Sequence, residues 1–382
     1  MPTGQGWGVV RTLVSITLGV LVLTFGACDD RQTEEDANTA ASWSLDSAPR
    51  VVIGEEQGDE PYLFQGVAAA VIIPDGRITV ADRGSSSIRI FEADGTFQQS
   101  MGRTGQGPGE FEYIASVVLL PPDTLVVYDA AAFRITRFRT NGALLSTVNV
   151  IPESGFPEIY LGQFDDGDFG FAWIVQADRD DAPVTPDVMA FGRFDPDGAL
   201  VSTFGTTTGM LRYEGGTLPF SPYLHAFVLR DSVYFTDGVH EITVLGQDGS
   251  RSISIPVPAV RYDEARRQLE NELDAGDRVD ALELLADVPI QDSVPSVAEV
   301  LLNDEGHLWL KRYQPSTDSN WLGFFGNRAG GEWWILDPNF GHVATIRLHD
   351  AFIPRDIRGG QVLGVTHDSL GVERVAVFDI RR

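Results

Sequence analysis

The stretch GRTGQGPGEF, residues 102–111, packs four glycines and a proline into ten residues and ends on Glu110 and Phe111. Its reading decides the fold. A phosphate-binding loop needs Gly-x-x-x-x-Gly-Lys followed by Ser or Thr, so that backbone N–H groups and a lysine surround the phosphates. No lysine follows these glycines, and the chain's one lysine is Lys311. A dinucleotide site needs a strand before the glycines and a helix after them. Here Phe111 and Tyr113 lead into IASVVLLPPDTLVVYD, residues 114–129, which reads as strand. The glycines are a turn between two strands.

Around that turn the sequence repeats. ITVADRGSSSIRIFEADG (residues 78–95) lies over LVVYDAAAFRITRFRTNG (residues 125–142), with Asp82 on Asp129, Ile88 on Ile135, Phe91 on Phe138 and Gly95 on Gly142. The interval is about 47 residues, within the range of propeller blades. Each unit reads as strand, turn, strand, short loop, strand, glycine turn, strand. In SIRIFEADG, Ile88 and Ile90 face one way and Arg89 the other, the period-2 signature of a strand. The turns ADG and TNG supply the positive φ that a hairpin requires.

Weaker copies follow. VMAFGRFDPDG ends a third unit, with Phe194 in the place of Phe91, and SVYFTDGVHEITVLGQDG forms a fourth. GHLWLKRY and EWWILDPNFG belong to a fifth, and QVLGVTHDSLGVERVAVFDI to a sixth. The sixth has three strands and lacks a fourth. The spare strand is at the other end, in SWSLDSAPRVVIG, residues 42–54. Joining the two would close a ring and remove both exposed edges. GRTGQGPGEF is then the crossover from one blade to the next, with Phe111 wedged between them. DGRITVADRGSSSIRIFEADG together with GRTGQGPGEF resembles the NHL-type repeat of six-bladed β-propellers, in the form seen in exported bacterial propeller lipoproteins. The resemblance implies an all-β, six-bladed β-propeller over residues 42–382, closed by an N-terminal strand.

One segment breaks the pattern. RYDEARRQLENELDAGDRVDALELLADVP, residues 261–289, places Ala265, Leu269 and Leu273 at four-residue spacing and predicts an amphipathic helix. This insertion is a cap over one end of the channel, a docking arm, or a decoration on the side of the ring.

The N-terminus reads as a targeting segment. Arg11 precedes the apolar core TLVSITLGVLVLTF, residues 12–25, which is short for a membrane span. Gly26 and Ala27 then stand before Cys28, the only cysteine. This resembles a bacterial lipobox, with Phe25 departing from the usual Leu, and it implies a signal peptide over residues 1–27 and lipidation at Cys28. The alternative is an ordinary signal peptide. The polar, acidic stretch that follows, residues 28–41, has the composition of a disordered tether. The expected location is the cell envelope, on the periplasmic or outer-surface side, with the membrane engaged through the anchor only.

Charge narrows the partners. Fifty-five acidic against 28 basic residues give a formal net charge of −27. Such a field repels nucleic acid, so the RNA binding known for some NHL-type propellers is not expected here. The commonest propeller site is the channel mouth, where turns after the second strand of each unit converge. That rule nominates Asp82, Arg83, Asp129, Asp237, His240, Arg312, Tyr313, His367 and Asp368 as ligand-binding candidates, with holding the local loop as the second reading of each Asp.

No cofactor is expected. Among the six histidines (His225, His240, His307, His342, His349 and His367) none has a compact metal-ligand spacing. Some NHL-type propellers are zinc lyases with ligands from separate blades, and a His240–His367 pair would be the zinc candidate here. The acidic turns FDDGDFG, DPDG and QDG suit Ca²⁺ by donor type but lack the twelve-residue calcium loop. No G-x-S-x-G elbow is present. The expected function is a lipid-anchored scaffold that binds a protein, peptide or glycan and performs no catalysis. The alternative is a metal-dependent propeller enzyme, a lyase or lactone hydrolase, with its site at the axis.

Cys28→Ser should move the protein from the membrane to the soluble fraction in detergent partitioning. A variant that stays with the membrane would show that the apolar segment is an uncleaved anchor.

Overall fold

The computed structural model describes residues 40–151, 155, 157–175, 184–213, 216–217, 220–221, 223–239, 241–246, 249–272, 293–315 and 329–382. The expected signal segment, Cys28 and His240 lie outside the described residues. So do Leu273, the rest of the expected helical insertion and the side chain of Leu269.

The described strands form six blades, here blades 1–6, each lettered A to D from the innermost strand outwards; Ala41–Leu45 joins blades 5 and 6 into one nine-stranded sheet, and Val260–Arg261 pairs separately with Ser293–Val294. Blade 1 is Val67–Ile72, Ile78–Asp82, Ser87–Phe91 and Phe97–Met101. Blade 2 is Ile114–Leu120, Thr124–Asp129, Arg134–Arg139 and Leu144–Asn149. Blade 3 is Pro157–Gln163, Phe169–Val175, Val184–Phe194 and Leu200–Tyr213, with Gly216–Thr217 added at its edge. Blade 4 is His225–Leu229, Ser232–Thr236, Glu241–Gly246 and Gly249–Ser254. Blade 5 is Val297–Leu302, Leu308–Arg312, Gly331–Leu336 and His342–Leu348. Blade 6 takes Phe352–Arg358, Gln361–His367 and Glu373–Arg381 from the C-terminus.

The fourth strand of blade 6 is Val51–Ile53, antiparallel to strand C with Val51 opposite Val377 and Ile53 opposite Val375. Ala41–Leu45 pairs in parallel with strand D of blade 5 and, at its far end, antiparallel with strand C of blade 6. The N-terminal segment therefore covers two blade edges at once. Arg50 Nε reaches Asp379 at 3.1 Å, and Arg381 pairs with Asp46.

A ring of six blades needs six interfaces, and among the described residues an apolar cluster lies at each, with a seventh under the helix. Blades 1 and 2 share a cluster that includes Ile88, Phe111, Ile114 and Phe138. Tyr128, Tyr160, Phe171 and Trp173 join blades 2 and 3, and Phe191, Leu224 and Val233 join blades 3 and 4. Ile242, Leu308 and Leu336 join blades 4 and 5, and Trp309, Trp333 and Phe352 join blades 5 and 6. Ile53, Val67, Leu363 and Val375 close blade 6 on blade 1.

Burial on both faces explains why the middle strands read as nearly continuous apolar runs: every residue of ITVAD and SIRIF is buried. It also adds to the alternation read from the sequence. Arg89 does point away from Ile88 and Ile90, but that face is covered too, and Arg89 is 2% exposed.

The opening stretch is the crossover it was expected to be. Phe111 is fully buried among residues of both neighbouring blades. Its N–H donates to the Arg103 carbonyl at 2.8 Å, and its own carbonyl accepts from the Gly105 N–H at 3.2 Å. Gly102 has φ +82°, and a Cβ there would stand 2.6 Å from the Phe111 ring. The glycine thus yields its side-chain space to the wedge. Burying a phenylalanine contributes roughly 1.5–3 kcal/mol.

Three features go beyond the sequence reading: the length of the blade 3 hairpin, where the expected helix is seated, and the burial of Lys311. Strands C and D of blade 3 run to 11 and 14 residues, and their paired ends, Val184 with Tyr213, extend past strand B of the same sheet. The helix is Tyr262–Glu272, with Asp263 and Glu264 in its first turn, where the helix dipole favours negative charge. It buries Tyr262 and Ala265 against Phe220, Val294 and Tyr313, which seats it beside the turn that follows strand B of blade 5. Lys311, in that strand B, is fully buried, and Gly331 (φ +85°) leaves space beside its stem: a Cβ there would lie 3.0 Å from Lys311 Cε.

Deleting residues 41–53 removes the outermost strand of blade 6 and uncovers blade 5. The expected result is a lower melting temperature and aggregation through the open edges, read by thermal unfolding and size-exclusion chromatography.

Candidate functional site

The turns between strands B and C and the crossovers between blades lie at the same end of the strands, here the loop face. A repeated device holds this face. In blades 1, 2, 3 and 5, the first residue of strand A pairs with the last of strand B or its equivalent, and a bulge follows. The partners at this position are Asp82, Asp129, Trp173 and Arg312. In blades 1, 2 and 5 the next N–H, from Arg83, Ala130 or Tyr313, donates to the carbonyl preceding strand A, at Gly66 (2.9 Å), Tyr113 (3.0 Å) or Ser296 (2.8 Å).

Asp82 and Asp129 are fully buried, and their carboxylates hold backbone. Asp82 accepts from the Gln65 N–H at 2.7 Å and from the Ser85 N–H and Oγ at 3.1 and 2.7 Å. Asp129 accepts from the N–H groups of Glu112 at 2.8 Å and of Tyr113, Ala131 and Ala132, each at 3.1 Å. Each Asp thus ties its own turn to the incoming crossover.

A buried arginine completes each anchor by taking crossover carbonyls. Arg89 donates to Pro61 and Leu63 at 3.1 and 2.8 Å and lies 3.6 Å from Asp82. Arg134 donates to the carbonyls of Gln106 and Glu110 and lies 3.7 Å from Asp129. The two arginines are not equivalent in the sequence repeat, since Arg89 falls on Thr136. The repeat alone therefore does not reveal their shared task. Within the crossover, the Gly107 N–H and then the Arg103 guanidinium hold the Glu110 carboxyl below its usual range.

The remaining candidates are placed differently. In blade 4 the anchor position falls on buried Thr236, whose Oγ1 accepts from the Gly238 N–H at 2.9 Å. Asp237 is one residue further on, half-buried, and caps the Val239 N–H at 2.8 Å. In blade 6 the position falls on Thr366. His367 Nε2 lies 3.3 Å from Glu373, and the other carboxylate oxygen of Glu373 accepts the N–H groups of Gly66 and Val67 at 2.7 and 2.8 Å. Glu373, not among the sequence candidates, is thus a polar clasp between the last blade and the first. Asp368 accepts from Leu370 and Val372 N–H and from Arg374 at 2.7 Å, and that guanidinium holds its carboxyl below the usual range. Arg83 is exposed, donates to the Ile114 carbonyl at 3.0 Å and lies over the Tyr113 ring at 4.9 Å.

Blade 5 puts a cation at the anchor position. Arg312 occupies the Asp82 position but is exposed, and its Nη1 is 3.7 Å from Glu332. Beside it, under the helix, is a cavity of about 210 Å³ lined by Glu264, Gln268, Arg312, Tyr313, Glu332 and Arg347, among others. Sequence reasoning reached Arg312 and Tyr313 but not the other four, which come from a helix and two further strands. Among the described residues, no group of three or more His, Cys, Asp and Glu is placed to hold a metal ion.

The family model DUF5128, described as a 6-bladed beta-propeller, matches residues 60–152, the crossover and first two blades included. The chain folds as a six-bladed β-propeller. Solved structures resemble the chain at low identity. A protein of Bacteroides fragilis described as exported is 11% identical, with TM-score 0.50, covering 90% of this chain and 99% of its own. A member of the DUF4221 family from Bacteroides vulgatus is 9% identical, with TM-score 0.54, covering 89% and 99%. A virginiamycin B lyase from Staphylococcus aureus is 11% identical, with TM-score 0.42, covering 88% and 99%. No curated protein matches this propeller.

Breaking an anchor should cost much of the fold's stability. Asp129→Ala leaves Arg134 without its carboxylate and four N–H groups without an acceptor. The expected loss is about 3–5 kcal/mol in denaturant unfolding.

Proposed function

We propose that the protein is an exported, lipid-anchored propeller of NHL type that holds a peptide or protein partner on its loop face. The observation that carries this reading is the division of labour on that face. The buried charges, Asp82, Asp129, Arg89 and Arg134, are engaged in fixing crossovers and turns. Arg83, Arg312, Arg347 and His367 are left exposed on or near a surface already rigid. Preorganised loops lower the entropy cost of binding. Export and anchoring are argued from the apolar N-terminal segment ending at Cys28, and the Bacteroides fragilis protein of like fold is itself described as exported.

The net charge of −27 gives the partner a preferred sign. At long range it draws in a basic partner and speeds encounter. Capture of a pool of basic peptides on the immobilised protein should therefore weaken as salt rises through the physiological range, where the screening length is roughly 8 Å. Capture indifferent to salt would remove the electrostatic steering. One equivalent of zinc in the purified protein, lost on His367→Ala, would replace the binding role by a metal-dependent one.

A further inference from the structure

We propose that the cavity between the helix and blade 5 is the subsite for the C-terminal residue of a peptide, with its α-carboxylate held by Arg312 and Arg347. The inference rests on the binding role proposed above and names the part of the partner that this corner takes.

Two guanidinium groups flank Glu332 on the strand wall of the cavity, and Glu264 and Gln268 stand on the helix wall. Strands B, C and D of blade 5 present Arg312, Glu332 and Arg347 side by side, with Glu332 opposite Arg347 in the strand register. Two strand spacings separate the arginine backbones by about 10 Å, a span that two long side chains close towards a shared anion. Neither guanidinium is saturated. Arg347 makes no hydrogen bond or ion pair among the described residues, and Arg312 stands 3.7 Å from Glu332, beyond hydrogen-bond reach. Glu332 Oε1 also accepts the Trp334 Nε1–H at 3.0 Å.

Across the cavity, Gln268 Nε2 donates to Glu264 Oε1 at 3.2 Å. That bond leaves the Gln268 carbonyl and the second Glu264 oxygen as acceptors. A terminal residue matches this polarity, since it carries a carboxylate at one end and an N–H donor at the other. Guanidinium–carboxylate pairs are among the stronger hydrogen-bonded contacts. The cavity, of about 210 Å³, has room for one amino-acid residue.

The comparison with blades 1 and 2 makes Arg312 more than a surface arginine. The same register position there holds a buried aspartate that ties down a crossover. In blade 5 the side chain is released from that task and lines the cavity instead, while the Tyr313 N–H still secures the backbone to Ser296.

The test compares two random tetrapeptide pools, one with free C-terminal acids and one with C-terminal amides, for retention on the immobilised full chain. The acid pool should be retained about tenfold better, the least that one charge-assisted hydrogen bond supplies. Arg312→Gln and Arg347→Gln should each abolish the preference without moving the melting temperature, because both side chains are exposed. Equal retention of the two pools overturns the subsite and leaves the binding role standing. Retention of neither pool also overturns it, and the salt-dependent capture of basic peptides then decides the role separately. A preference that survives both substitutions places the carboxylate elsewhere and overturns the assignment. Galacturonate competing as well as an acetylated amino acid would assign the cavity to carboxylates in general and overturn the peptide source.

Discussion

A ring of sheets has no end at which to stop packing, so each blade depends on two neighbours and the last must find the first. Here that closure rests on a three-residue strand, Val51–Ile53, laid against strand C of blade 6. Its Ile53 is 1% exposed and belongs to the cluster that joins blade 6 to blade 1. The contact joins the two ends of the described chain, as does the pairing of Ser44 with Arg381, and loop closure over such a distance is slow but only modestly more costly than over a short one. Once it forms, no blade has an unprotected inner face. Glu373 adds a polar clasp across the same junction, on the loop side.

Closure fixes the blades; the aspartate–arginine anchors fix what the blades carry. A crossover such as residues 102–113 is rich in glycine and would sample many conformations if left alone. Asp129 takes its amides and Arg134 its carbonyls, so the backbone is held by both kinds of group. Buried ion pairs of this sort add little net stability over apolar substitutes. Their value here is positional. They hold the loop surface at blades 1 and 2 to one shape; at the same position blades 3, 4 and 6 carry Trp173, Thr236 and Thr366, and blade 5 carries a cation, Arg312.

Much of this architecture is legible in the sequence. The first two units align without gaps because both use aspartate to end strand B and a glycine turn before strand D, and both features have backbone causes. The missing strand of the sixth unit and the spare strand at residues 42–54 point to each other for the same reason. The site is less legible. Asp237 looks like the counterpart of Asp82, yet the register places Thr236 there, a one-residue shift that only strand pairing reveals. Arg89 and Arg134 do the same work from positions two residues apart in the repeat. The cavity draws Glu264 from a helix and Arg312, Glu332 and Arg347 from three strands, so no local pattern could join them. The long hairpin of blade 3 has the composition of any hairpin, and its length is decided by cross-strand pairing.

Lys311 has a consequence outside binding. It is the only lysine in the chain, it is fully buried, and its stem fits beside Gly331 within blade 5. The folded protein therefore offers no side-chain amine to solvent. Reductive methylation and amine-directed cross-linkers find no lysine side chain to modify while the ring is intact. Reactivity at Lys311 appears only when blade 5 opens, which makes this one residue a built-in chemical reporter of that blade's integrity, read against an otherwise silent background.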